Sequence, residues 1–151
     1  MIKPIETRYS GHLFRSRLEA RWAIYFDAIG INWQYEKEGW DLGDGLYYLP
    51  DFWLPQVEMW AEVKPGSFSP QELEKVKRLV KGSGFSLILL EGQPACRSYE
   101  VASLFWINDE DQLMIGDGND CVISNYHSYP QNENRFYGGT GWGDGGANGG
   151  W

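Results

Sequence analysis

The chain has 151 residues, of which 42% are hydrophobic, 16% aromatic and 23% charged, with a net charge of −8 and two cysteines. That length suits one domain with a real core, while Cys96 and Cys121 are too few for a disulfide framework and stand in no C-x-x-C metal spacing. No apolar run approaches the ~18 residues of a membrane span, and Met1-Ile2-Lys3-Pro4 followed by polar residues is not a signal-peptide pattern, so a cytoplasmic, reducing setting with no membrane partner is expected.

The acidic balance argues against a plain nucleic-acid binder, which usually carries a basic patch. The acid is unevenly spread, however. Residues 1–92 hold 11 Lys+Arg against 13 Asp+Glu, and residues 93–151 hold 2 against 8. The first part is therefore close to neutral.

In chain order, Leu18, Trp22, Tyr25, Phe26 and Ile29 recur at helical spacing and predict an amphipathic helix over 15–29, stopped by Gly30. Glu19 lies at the edge of its apolar stripe near Phe26, and Arg17 and Arg21 lie toward the other edge. Residues 31–36 read as a short strand, and 39–45 as a loop with a Gly43-Asp44-Gly45 turn. A second strand is expected over 46–54, with Pro50 marking an edge or a bulge. A third is expected over 57–64, ended by Pro65-Gly66. Ser69-Pro70-Gln71-Glu72 is a helix start; that helix carries Leu73, Val76, Leu79 and Val80 on one face and ends at Gly82. Residues 85–90 form a continuous apolar run, read as a buried strand parallel to the third. Beyond Gly92, residues 99–107 and 112–115 could pair as a hairpin, residues 121–124 could form another strand, and 137–151 is a Gly/Trp-rich, low-complexity tail expected to be flexible.

The informative feature is Asp51, followed after a short return by Glu62-Val63-Lys64. Strand alternation puts Glu62 and Lys64 on one face and Val63 on the other. Their neighbours include Phe52, Trp53, Trp60 and Ala61, and charges among so many apolar residues are normally paired or metal-bound. Two carboxylates suit a hard, oxygen-loving cation such as Mg²⁺, and a neighbouring lysine suits developing negative charge.

Pro50-Asp51…Glu62-Val63-Lys64, preceded by Phe14-Arg15-Ser16-Arg17-Leu18-Glu19-Ala20-Arg21-Trp22-Ala23, resembles the signature and opening helix of the PD-(D/E)XK nuclease superfamily. That group includes restriction enzymes, Holliday-junction resolvases and transposon endonucleases. The resemblance covers residues 8–91. It implies an α/β fold with a restriction-endonuclease-like core, a mixed central sheet flanked by helices in αβββαβ order, here followed by a C-terminal β extension and the glycine-rich tail. The domain would span 1–136, with its core at 8–91 and its extension at 92–136. The resemblance also implies a Mg²⁺-dependent DNA endonuclease, with Mn²⁺ able to substitute, leaving 5′-phosphate ends. Glu19, Asp51, Glu62 and Lys64 would be catalytic. Asp51, Glu62 and the Val63 carbonyl would hold the metal, and Arg15, Arg17 and Arg21 would contact DNA phosphates.

Plainer readings stand beside these. Glu19 could pair with Arg15 four residues earlier; Lys75, Lys77, Arg78 and Lys81 could be a solvated helix face; Gln71 reads as a first-turn helix residue, and His12 and His127 as ordinary histidines. The alternative functions are a catalytically silent nucleic-acid-binding domain, a protein-interaction module acting through the acidic C-terminal part, and the same enzyme on RNA. Cutting both strands would call for a homodimer or a partner protein. Small size and the short acidic extension point, through the family analogy, to a phage or mobile-element setting.

Overall fold

The structure is a computed structural model and describes residues 3–94 and 102–117. The expected strand at 121–124, His127, both cysteines and the tail at 137–151 lie outside the described residues.

The chain opens with a hairpin that the sequence reading did not foresee. Strands β1 (Thr7–Tyr9) and β2 (His12–Phe14) pair through Tyr9↔His12, and Ser10 and Gly11 take left-handed conformations at φ 51° and 80° between them. Helix α1 (Arg17–Ile29) begins at Ser16, whose hydroxyl accepts the Glu19 N–H, and ends at Gly30 with φ 84°, the left-handed cap that glycine adopts without strain. Its buried face is Ala20, Trp22, Ala23, Phe26 and Ile29, so the predicted stripe is shifted. The alanines allow α1 to pack closely, and Leu18 and Tyr25 are left half-buried at its margins.

The expected strand at 31–36 shrinks to β3 (Gln34–Tyr35). The segment at 39–45 is mostly strand. It forms β4 (Trp40–Gly43), which pairs with β5 (Leu46–Tyr48) as a separate hairpin. The single strand expected over 46–54 is thus two, because the chain breaks at Pro50, which can donate no ladder hydrogen bond. Its second part, β6 (Phe52–Leu54), joins the main sheet. A tight return leads into β7 (Met59–Lys64). Helix α2 (Pro70–Ser83) follows and is capped by Gly84, two residues beyond the expected stop. Then come β8 (Leu87–Glu91), β9 (Ala102–Ile107) and β10 (Leu113–Asp117).

The main sheet has the order β10-β9-β8-β7-β6-β3. The β7–β8 pair is parallel and the other pairs are antiparallel. The chain is therefore mixed α/β, with a mixed sheet between two helices. Strand alternation divides the core. Ala61, Val63, Ile88 and Leu90 pack with the buried residues of α1 on one face. Trp60, Leu87 and Leu89 pack with Val76, Leu79 and Val80 of α2 on the other. Gly92, at φ 71°, follows β8 and ties both halves to its end: its N–H donates to the Lys64 carbonyl at 2.8 Å, and its carbonyl accepts the Trp22 indole N–H at 2.8 Å.

Candidate active site

Strand β6 starts one residue after Asp51, while β7 runs on past it to Lys64. On its β6 side, β7 has no partner strand at that point, and side chains take over the pairing. The Val63 N–H donates to Asp51 Oδ2 at 2.9 Å, and the Asp51 N–H donates to Glu62 Oε1 at 3.1 Å. This crossed clasp fixes both carboxylates and leaves one oxygen of each for another partner. The Trp60 N–H bonds to Ser86 and the Lys64 carbonyl to Gly92, so the even-numbered residues of β7 turn their backbone groups toward β8. Val63 therefore turns its N–H and its carbonyl toward the Asp51 side.

Glu19 reaches the same region from the first turn of α1. Tyr35, on β3, donates its hydroxyl proton to Glu19 Oε1 and accepts the Arg15 N–H at 3.1 Å. Arg15 pairs with Glu36 at 2.8 Å, so the alternative helix pair of Arg15 with Glu19 does not form. Burial raises the Glu19 carboxyl above its ordinary range, Tyr35 opposes that rise, and the Glu36 charge adds to it.

Asp51, 8% exposed, is the one buried charged residue among those described. Burial, then the charges of Glu62 and Glu19, push its carboxyl well up, against the pull of the Val63 N–H. Glu62 is pushed up to about 7, mainly by burial, with the Asp51 N–H pulling it down. Glu19, Asp51 and Glu62 thus feel one another's charge, which marks a carboxylate cluster short of positive charge. The Tyr48 hydroxyl is buried beside it, and burial and the charges of Glu62 and Asp51 push its pKa well up. It lies near enough to Glu62 to favour the carboxylate, yet it falls short of hydrogen-bond geometry with any described residue.

Lys64 shares the Glu62 face of β7, as alternation predicts, but its ion partner is a residue the sequence reading passed over. Its ammonium sits 2.5 Å from Glu72 Oε2. Glu72 Oε1 accepts the Ser69 N–H at 2.8 Å, and Ser69 Oγ accepts the Glu72 N–H at 3.1 Å, the reciprocal capping box of α2. Burial raises the Glu72 carboxyl, but Lys64 and the Ser69 N–H outweigh it and hold the group below its usual value. The Ser69-x-x-Glu72 spacing was visible as a helix start; that its acid also holds the site lysine depends on how α2 docks. Gln71 is exposed, as its ordinary reading expects.

The basic residues divide. Arg15 and Lys75 border a cavity of about 240 Å³ together with Tyr47, Tyr48, Glu62 and Glu72. Arg17 borders a cavity of about 450 Å³ on the α1 side, with Glu19 and Val63. Arg21 is exposed and lines neither. Arg78 is tied to Glu74 and Asp44, and Lys81 to Asp111, so these two are structural or solvated charges. His12 packs against Trp33 with ring centroids 4.9 Å apart.

Among the described residues, no three His, Cys, Asp or Glu side chains converge as a formed metal cage. The donor set still suits a hard cation. Mg²⁺ is commonly held by one or two carboxylates and keeps several waters, and Asp51 and Glu62 offer two fixed carboxylates in a cluster where added positive charge is favourable. No protein-family model, curated protein or solved structure matches the chain.

Proposed function

We propose that this chain is a Mg²⁺-dependent nuclease of the PD-(D/E)XK kind, with a restriction-endonuclease-like core, acting as an endonuclease on DNA. The observation that carries this reading is the crossed clasp. Two carboxyl groups whose pKa burial pushes up are fixed at the end of the sheet, with a lysine two residues on along the same strand face. Asp51, Glu62 and the Val63 carbonyl would hold the cation, with Glu19 supporting it or a water in its shell. When bound, the cation supplies Lewis-acid polarisation of a phosphate oxygen and acidifies a water. Lys64 orients the attacking water and faces the negative charge that builds on the phosphate. Glu72 keeps its ammonium in place. Arg15 and Arg17 meet the phosphate backbone from two sides of the acid cluster. The resemblance adds 5′-phosphate and 3′-hydroxyl products.

A silent nucleic-acid-binding domain is the second reading. It is favoured by the pairing of Lys64 with Glu72, which engages the lysine before any substrate arrives. Purified protein incubated with supercoiled plasmid, branched DNA, single-stranded DNA and RNA, in Mg²⁺, Mn²⁺ or EDTA, separates the two. Metal-dependent cutting that disappears in Asp51→Asn is the expected result. Binding without cutting on every substrate would overturn the enzyme reading.

A further inference from the structure

The cavity of about 240 Å³ lies between the β4–β5 hairpin, Arg15 and the start of α2, with Glu62 in its wall. On its rim Tyr47 is 69% exposed, and its side chain takes part in no hydrogen bond, ion pair or ring contact among the described residues. A large aromatic side chain left in water forgoes its main stabilising contribution, apolar burial. The hairpin that carries it is firmly held. The Arg78 guanidinium reaches from α2 to the Leu42 carbonyl at 3.3 Å, the Gly43 carbonyl at 3.4 Å and Asp44 Oδ2 at 3.0 Å. Lys75, on the same rim, has no ion pair among the described residues.

We propose that this cavity is a subsite for an unpaired nucleotide of the substrate, with Tyr47 stacking on its base and Arg15 and Lys75 meeting the flanking phosphates. The inference rests on the nuclease reading for the location of the scissile phosphate, beside Glu62. A base within a duplex has both faces covered by its neighbours, so a lone ring can stack only on a strand that is single or locally opened. Such stacking tolerates any sequence, because every base has a π-face. The substrate class is then single-stranded DNA or a junction with unpaired bases, not intact duplex.

The test is binding by the full chain in EDTA, where no cutting takes place. The probe is a short single strand carrying one 2-aminopurine, alongside the matching duplex. The wild type should prefer the single strand and quench the probe. Tyr47→Ala should lose the quench and bind roughly tenfold more weakly, and Tyr47→Trp should restore both. Lys75→Gln should keep the quench and lower the salt dependence by about one phosphate contact. Unchanged binding and quenching in Tyr47→Ala, or a preference for duplex, overturns the subsite. Cleavage measured in parallel separates the two ideas. Quenching without cutting by the wild type sinks the nuclease reading and leaves the subsite; cutting with an indifferent Tyr47 does the reverse.

Discussion

Replacing Glu62 by Gln should make the folded chain more stable while abolishing its chemistry. Gln keeps an Oε1 acceptor for the Asp51 N–H, so the clasp survives, and only the charge is lost. Burial raises the Glu62 carboxyl from 4.5 to about 7 in the fold. The folded state therefore holds its proton more tightly than the unfolded state. Stability is fully present below pH 4.5 and declines as pH rises toward about 7. At about 1.4 kcal/mol for each unit of pKa, the loss in the wild type is on the order of 3 kcal/mol. Asp51, raised by the same burial and by Glu62 itself, acts in the same direction. Urea unfolding across that window is the assay. Glu62→Gln should match the wild type at the acid end and exceed it by on the order of 3 kcal/mol above neutrality, a gain of several degrees in Tm. Mg²⁺ should raise the Tm of the wild type and not that of the variant. Parallel pH profiles for the two proteins would refute the idea that an uncompensated carboxylate is built into this sheet end.

Lys64→Ala should remove cleavage while leaving Mn²⁺ or Mg²⁺ binding by calorimetry largely intact; unchanged cleavage would end the assignment of that lysine. Glu72→Gln keeps a side chain that can complete the α2 cap but loses its charge, so kcat should fall with KM and Tm close to wild type. Ser69→Ala, by contrast, should lower stability by about 1 kcal/mol, seen as a reduced urea midpoint. Phe52 is fully buried next to Asp51 and meets Phe26 and Trp33 edge-on. Phe52→Ala should cost about 3–5 kcal/mol, and a loss below 1 kcal/mol would contradict the packing described.

Much of the fold was legible where a local rule and the tertiary contacts agree. Ser69, Pro70 and Glu72 start α2 by capping chemistry alone, and Gly30 ends α1 because only the left-handed region closes that helix. The apolar run before Gly92 could only be an interior strand. What failed were short pairings that no periodicity reveals. Three-residue strands such as β1 and β2 carry too few alternations to stand out, and Trp40 and Asp41 become strand because Tyr48 and Tyr47 lie opposite them. Asp51, Glu62 and Lys64 were visible as chemistry in an apolar setting. The holders Tyr35 and Glu72 and the neighbouring Tyr48 were not, since each belongs to a different element and comes near the acids or the lysine only after the sheet has closed around them. Arg21, placed by helical spacing on the edge of α1 away from Glu19, is exposed and borders neither cavity.

Gly92 has a mechanical consequence. Directly after β8, one hydrogen bond grips the carbonyl of Lys64 and another holds the indole of Trp22 in α1. A displacement of Gly92 is felt by the backbone of Lys64 and by the helix that brings Glu19. Beyond the β7–β8 ladder, the Lys64 backbone and the α1 indole thus meet at one residue, at a position where φ 71° favours glycine over any side chain.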